Sequence, residues 1–170
     1  MRLVWEQTVL PRMLIRLGVD VHHSPHYTMP EASSVPRVVT IHDLTYFNHP
    51  EWHQRSKVAL FRRAIKVAAA EAEVIVCVSA ATARRLMELT GRQERVCVIY
   101  HGVDHERFRP AASEAEDAAD HELLGRMFGL NHDPYIAFIG QLEPRKDVPT
   151  LIRAFDRMCR FHPRLRPVLA

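Results

Sequence analysis

YIAFIGQLEPRKDVPTLIRAF, residues 135–155, changes its hydrophobic period halfway along. Residues 135–139 are an unbroken apolar run, the pattern of a strand buried on both faces. Gly140 ends the run, and residues 141–146 form a polar loop stiffened by Pro144. From Asp147 the apolar positions Val148, Leu151, Ile152 and Phe155 recur at helical spacing. Asp147 is placed to cap that helix, and Pro149 suits its first turn. The unit reads as strand, loop, helix. In an open parallel sheet such a loop lies at the carboxyl end of the strand, where ligands bind. The helix start offers N–H groups and the positive end of a dipole to an anion. Arg145 and Lys146 stand there together. An Arg holds phosphate bidentately and a Lys acts as a mobile point charge. The pair reads as a diphosphate clamp or as a solvated basic loop, and spacing alone leaves both open.

The same alternation runs through the residues before it. Residues 3–17 carry helical apolar spacing, interrupted near Pro11 and stopped by Gly18. Residues 19–22 read as a short strand and 24–36 as a loop. Residues 38–41, VVTI, are β-branched and read as a buried strand that runs straight into His42 and Asp43. After a loop at 44–53, residues 54–72 form a basic amphipathic helix with Val58, Phe61, Ile65 and Ala68 along one face. Residues 74–78 are the next strand, and Ser79 is placed to cap a helix at 80–89. Residues 96–99 are a further strand, ending at Tyr100-His101-Gly102. This succession predicts an α/β protein with a Rossmann-like, doubly wound parallel sheet. Every polar candidate falls just after a β run: His42 and Asp43, Ser79, His101 and Gly102, and Gly140 with Arg145 and Lys146. Two such sheets facing each other would enclose a cleft.

Of the 170 residues, 47% are hydrophobic and 25% charged, which is ordinary globular composition and enough for a good core. The net charge of +3 hides an uneven spread. Residues 1–110 hold 15 Lys/Arg against 11 Asp/Glu, and residues 134–170 hold 7 against 3. Residues 111–133 hold 1 against 6 and read as an acidic linker or insert between two domains. The basic parts suit phosphorylated ligands or an anionic membrane surface. Nucleic acid is not expected, since the chain has no RNP-like strand, zinc-finger spacing or dense basic tract. The cysteine count of 3 is odd, and Cys77, Cys97 and Cys159 read as small core residues in a reducing compartment. No apolar run approaches the ~18–20 residues of a membrane span, and residues 1–5 lead into no signal-peptide core. A cytoplasmic location, at the inner face of the membrane, is the expectation. His22, His23, His26, His49 and His53 are interrupted by Pro25 and Pro50 and lack a third ligand at motif spacing, so no metal is expected.

GQLEPRKDVPTLIRAF resembles the glycine-to-lysine segment that opens the nucleotide-sugar domain of family 4 glycosyltransferases of GT-B fold, G-x-L-x-P-R-K-x-x-x-x-L-I-x-A-F. VTIHDLTY is similar to that family's V-x-x-I-H-D-L, CVSAATARRL to V-S-x-x-T-x-x-x-L, and VIYHGVDHERFRP to I-x-x-G-V-D-x-x-x-F-x-P. The early run W-E-Q before a Pro, then D-V-x-H-x-P, is shared as well. The resemblance implies a retaining enzyme that moves a sugar from a nucleotide-diphosphate donor to a glycan or lipid-linked acceptor, with no cofactor or catalytic metal. It implies that Gly140, Arg145 and Lys146 hold the donor diphosphate and that His42 lies near the transferred sugar. Asp43, Ser79 and Gly102 are expected to line the cleft; the helix-cap reading is preferred for Ser79, and Gly102 is expected to supply an unusual backbone angle or a close approach. Asp104, Phe108 and Pro110 are expected to fix the domain junction. Gln141 stands where other members place Arg, and Arg145 is expected to substitute for that charge. His101 stands where members usually carry Asn or Pro and receives no role from the resemblance.

A complete GT-B enzyme has two Rossmann-like domains and is roughly twice this length or more. The chain is therefore expected to be a central fragment that is not active by itself. Residues 1–110 would be a partial acceptor-side domain, incomplete at its N-terminus. Residues 134–170 would be the first strand–helix unit of the donor domain. The family's acidic E-x7-E segment is expected beyond Ala170. Two other classes stay in view: a non-catalytic nucleotide- or anion-binding α/β module, and a dinucleotide-binding oxidoreductase, for which the required GxGxxG is missing.

Overall fold

The computed structural model describes residues 2–130 and 133–170. The chain divides into two compact units, Met1–Gly102 and Val103–Ala170. The division falls eight residues before the expected boundary at 110.

In the first unit, helices α1 (Arg2–Thr8) and α2 (Leu10–Arg16) meet at Val9, and Pro11 occupies the first turn of α2. Pro11 has no N–H to give, a loss that a first turn tolerates. Gly18, at φ +63°, then turns the chain out of the helix. Strand β1 is His22–Ser24, displaced from the expected 19–22. Its place is set by pairing, His22 opposite Arg37 and Ser24 opposite Val39, a long-range constraint that local pattern does not carry. Strand β2 is Arg37–Ile41. The expected loop at 44–53 is partly helical, with α3 (Thr45–Asn48) and a 3-10 turn at Pro50–Trp52. Helix α4 (Arg55–Glu71) buries Ala64, Ile65 and Ala68 against the sheet core, as its apolar stripe predicts. Strand β3 (Val74–Cys77), helix α5 (Ala80–Thr90) and strand β4 (Val96–Val98) complete the unit.

The four strands are parallel in the order β1-β2-β3-β4. Parallel order brings their carboxyl ends, and the residues that follow them, to one edge. Among these strands the order advances in one direction, so the reversal that marks a topological switch point does not lie within it. Val39, Ile41, Ile75 and Cys77 are fully buried and form the core with Ile65, Ala68 and Leu86. Cys97 is exposed rather than a core residue, because it sits on β4, which is paired only with β3.

The second unit opens with a turn held by Asp104, whose Oδ1 accepts from the Glu106 and Arg107 amides. Phe108 is exposed. Most of residues 111–122 lie in a helix, α6 (Glu114–Phe128). Asn131 and His132, the latter part of the expected insert, lie outside the described residues. Ser113 caps α6 by accepting from the Glu116 amide, three acidic residues sit in the first turn, and Gly129 closes it at φ +67°. Alanine-rich propensity with matched end charges forms a helix without an apolar face. Strands β5 (Tyr135–Phe138) and β6 (Arg166–Leu169) make a separate two-stranded parallel sheet. Helix α7 (Val148–Cys159) follows β5 after a 3-10 turn at Pro144–Lys146. The run at 135–139 is not buried on both faces: Ile136 and Phe138 are half-buried, while Ile139 is 84% exposed. A strand with one partner has only one covered side.

Candidate functional site

His42 follows β2 directly, so the strand fixes its backbone at the carboxyl edge of the first sheet. Its Nε2 donates to the Pro25 carbonyl at 2.8 Å. A carbonyl only accepts, so Nε2 carries the proton and the neutral ring keeps its lone pair on Nδ1. His101, reached from β4, lies over the same ring with centroids 5.5 Å apart and planes at 16°. His26 and Tyr27, from the β1–β2 connection, approach at 5.8 and 6.0 Å. Three connections thus converge on one imidazole.

Asp43 follows His42 and is tied into the local turn. Its Oδ1 accepts from the Thr45 amide at 3.0 Å and from Thr45 Oγ1 at 2.7 Å, turning the chain into α3. Its own amide donates to the Tyr27 hydroxyl at 3.1 Å. His53 Nε2 lies 2.9 Å from Thr45 Oγ1 on the far side. Because Thr45 Oγ1 spends its proton on Asp43, it accepts from His53. The chain His53, Thr45, Asp43, Tyr27 pins the backbone that follows His42. Burial, with the Asp43 carboxylate second, pushes the Tyr27 hydroxyl pKa well above its ordinary value. Tyr27 also holds φ at +54° while only 3% exposed. A bulky side chain rarely adopts that angle unless its surroundings impose it.

Ser79 caps α5, accepting from the Thr82 amide at 3.1 Å. Its hydroxyl donates to Thr82 Oγ1, which reaches the His42 carbonyl at 3.4 Å. Ser79 thus touches the His42 backbone through one intermediary. Gly102 does not show the unusual backbone angle expected of it. Its φ is not in the left-handed region, and a Cβ there would meet nothing within 4 Å.

Partial desolvation lowers the His26 pKa, and repulsion from His42 and Arg2 adds to it. His22 is lowered by burial first. His23 and His49 have separate partners: His23 lies against Thr40, and His49 stacks on Trp52 at 3.9 Å and 11°. Among the described residues no three His, Cys, Asp or Glu side chains gather as a metal would need. Cys77 is buried, which raises its thiol pKa to about 11.

In the second unit, Gly140 has φ +154° and its amide donates to the Ala170 carbonyl at 3.0 Å. Arg145 Nε donates to the Glu143 carboxylate within its own 3-10 turn. Lys146 is exposed. Asp147 precedes α7 but does not cap it with its side chain. It adopts φ +46°, and its carbonyl accepts from the Thr150 and Leu151 amides. Pro149 removes another donor. The start of α7 therefore offers an anion fewer N–H groups than an ordinary helix, and more of the work falls to Arg145 and Lys146. The structure brings His42, Asp43 and Ser79 together in one unit, with Gly140, Arg145 and Lys146 together in the other.

No motif in the sequence ties Pro25, His26, Tyr27, Thr82 or His101 to the His42 environment. Their one common signal is position, each lying near the end of a β run.

The architecture is that of the GT-B glycosyltransferases. Crystal structures of Anabaena HepE overlay on it. The complex with UDP-glucose gives a TM-score of 0.70 at 20% identity, covering 98% of this chain and 44% of that one. The complex with UDP and glucose gives 0.68 at 20%, covering 94% and 42%. Residues 2–107 match the family Glycosyltransferase Family 4, and the chain belongs to that family. Among curated proteins it is 37% identical over 99 residues to a D-inositol 3-phosphate glycosyltransferase of Thermomonospora curvata, covering 57% of this chain and 22% of that one. An O-antigen chain mannosyltransferase B of Escherichia coli is 21% identical over 137 residues, covering 80% and 34%. The matched segments thus span about a fifth to a third of these relatives' lengths. No helix of the described residues is long and apolar enough to cross a membrane.

Proposed function

We propose that the chain contributes to a retaining glycosyltransferase that moves a sugar from a nucleotide-diphosphate donor to a hydroxyl of a glycan or lipid-linked acceptor. The observation that carries this reading is the placement of His42, inside the family-matched segment, at the carboxyl edge of a parallel sheet. HepE, bound to UDP-glucose, supports a nucleotide sugar as the donor class. As the bond to the sugar breaks, negative charge grows on the diphosphate. Arg145 and Lys146 would stabilise it there, Arg145 exchanging Glu143 for phosphate oxygen. His42 would meet the transferred sugar, with Asp43 and Ser79 holding the backbone around it. No cofactor or metal enters this scheme. Cytoplasmic action at the inner membrane face belongs to the same proposal, with Arg55, Lys57 and Lys66 of α4 available to anionic lipid.

The test is sugar transfer by the protein encoded by the full reading frame containing these 170 residues, assayed with UDP-glucose and GDP-mannose. Arg145→Ala and Lys146→Ala should each raise KM for the donor or lower kcat/KM by about 10- to 100-fold, the worth of a charge-assisted hydrogen bond at ~1.5–3 kcal/mol. His42→Ala should lower kcat and leave nucleotide affinity nearly unchanged. Wild-type kinetics in all three variants would refute the assignment. Binding of nucleotide sugar with no transfer to any acceptor would favour the anion-binding module instead.

A further inference from the structure

We infer that His101 is a positioning residue for His42, and that the two, with the Pro25 carbonyl, present His42 Nδ1 as a hydrogen-bond acceptor for a sugar hydroxyl. The inference rests on the reading that His42 meets the transferred sugar.

Two contacts define the imidazole. The Pro25 carbonyl, 2.8 Å from Nε2, takes that nitrogen's proton into a hydrogen bond and so selects the tautomer. It cannot by itself set the ring plane, because the ring can rock about the Nε2–O line. His101 supplies the second constraint, with its ring nearly parallel at 16° and 5.5 Å away. Offset aromatic pairs favour such geometry. The half-buried His42 ring is thus held by one linear and one planar contact, and no protein donor among the described residues occupies Nδ1. A solvent-reachable acceptor left open by its own fold suits a ligand hydroxyl, and a pyranose presents several. The contact carries no formal charge, so it orients the sugar instead of anchoring the nucleotide. The His101 side chain is exposed and makes no hydrogen bond among the described residues. Its ring contact with His42 is the feature that gives its side chain a role.

Long-range 1H–15N correlation spectra of the uniformly 15N-labelled 170-residue chain at about pH 8 read the tautomer directly, with His42→Ala identifying the His42 signals. Wild type should show His42 protonated on Nε2. In His101→Ala the ring is free to rock, the Pro25 hydrogen bond loses its alignment, and the two nitrogens should move toward averaged shifts as the Nδ1-protonated tautomer gains population. His101→Phe keeps an aromatic face without a nitrogen and should preserve the wild-type pattern. An Nδ1-protonated His42 in wild type, or an unchanged pattern in His101→Ala, overturns the inference.

The transfer assay separates this inference from the reading beneath it. His101→Ala should lower kcat at least 10-fold with donor KM within twofold, and His101→Phe should recover most of it. If His42→Ala is impaired and His101→Ala is not, the positioning role alone falls. If His42→Ala transfers sugar at the wild-type rate, the sugar contact falls and this inference falls with it.

Discussion

Tyr27 sits where three constraints meet. Its φ of +54° is costly for a bulky residue, its ring is 3% exposed, and its hydroxyl accepts the Asp43 amide. The strain is held by the surrounding packing on Tyr46 and Phe61, with ring centroids at 5.9 and 5.4 Å. Tyr27→Phe keeps the packing and strands the Asp43 amide, so it should cost about 1–3 kcal/mol in urea unfolding. Because the folded-state pKa of Tyr27 is raised, its contribution is complete below the unfolded value near 10 and is lost as pH rises beyond it. The gap between wild type and Tyr27→Phe should therefore narrow above pH ~10. The opposite sign holds for His22 and His26, whose folded pKa values are lowered. The stability they confer is present above the unfolded value of about 6.5 and is lost as pH falls below it. Unfolding midpoints that stay flat from pH 7 to 5 in wild type, or that shift equally in His22→Phe and His26→Phe variants, would remove this account.

Helix α5 shows how a single residue can settle an element. Ser79 follows β3 and satisfies the Thr82 amide, and Gly91 at φ +76° closes the far end. Both are readable as letters, a Ser before an apolar stripe and a Gly after it. Ser79→Ala should destabilise the first unit by about 1 kcal/mol, and Ser79→Asp should recover most of it. Equal stability of wild type and Ser79→Ala in urea titration would mean that the cap contributes nothing. Ile65, fully buried on α4, is the corresponding test of packing, and Ile65→Ala should cost ~2–5 kcal/mol. Both helices were legible because their apolar stripes are long. The first turns of α6 read as linker because they carry no apolar stripe. Its signal was the pair Ser113 and Glu116 at capping-box spacing. Strand β1 was misplaced by three residues because its register depends on Arg37 and Val39, fifteen residues downstream. The His42 site was legible at His42 itself, where β-branched residues run into a polar pair. The ring of Tyr27 and the stack of His101 were not legible, since a positive φ and a contact across 59 positions leave no mark in local composition.

The two units differ in how much they bury. In the first, four paired strands enclose fully buried Val39, Ile41, Ile75 and Cys77 under α4 and α5. In the second, two strands and α7 leave Ile139, Leu142 and Phe161 at 84%, 78% and 81% exposure. A hollow of about 210 Å³ lined by Ile136, Leu151, Ile152, Phe155, Pro167 and Leu169 remains open beside them. Ordering a residue costs roughly 1–2 kcal/mol of backbone entropy, and a two-stranded sheet with one helix offsets little of it. Local opening should therefore be much easier in the second unit. Hydrogen exchange on the intact 170-residue chain should protect amides of β2 and β3 by at least a hundredfold more than those of β5 and β6. Limited proteolysis should first cut within residues 103–170 and leave a resistant product ending near Gly102. For the same reason the chain expressed alone should not transfer sugar, because catalysis needs its groups held in place on the diphosphate side as firmly as around His42. Uniform protection across both sheets, or measurable transfer by the 170-residue chain, would show that the second unit is as ordered as the first and that Arg145 and Lys146 are already fixed for catalysis.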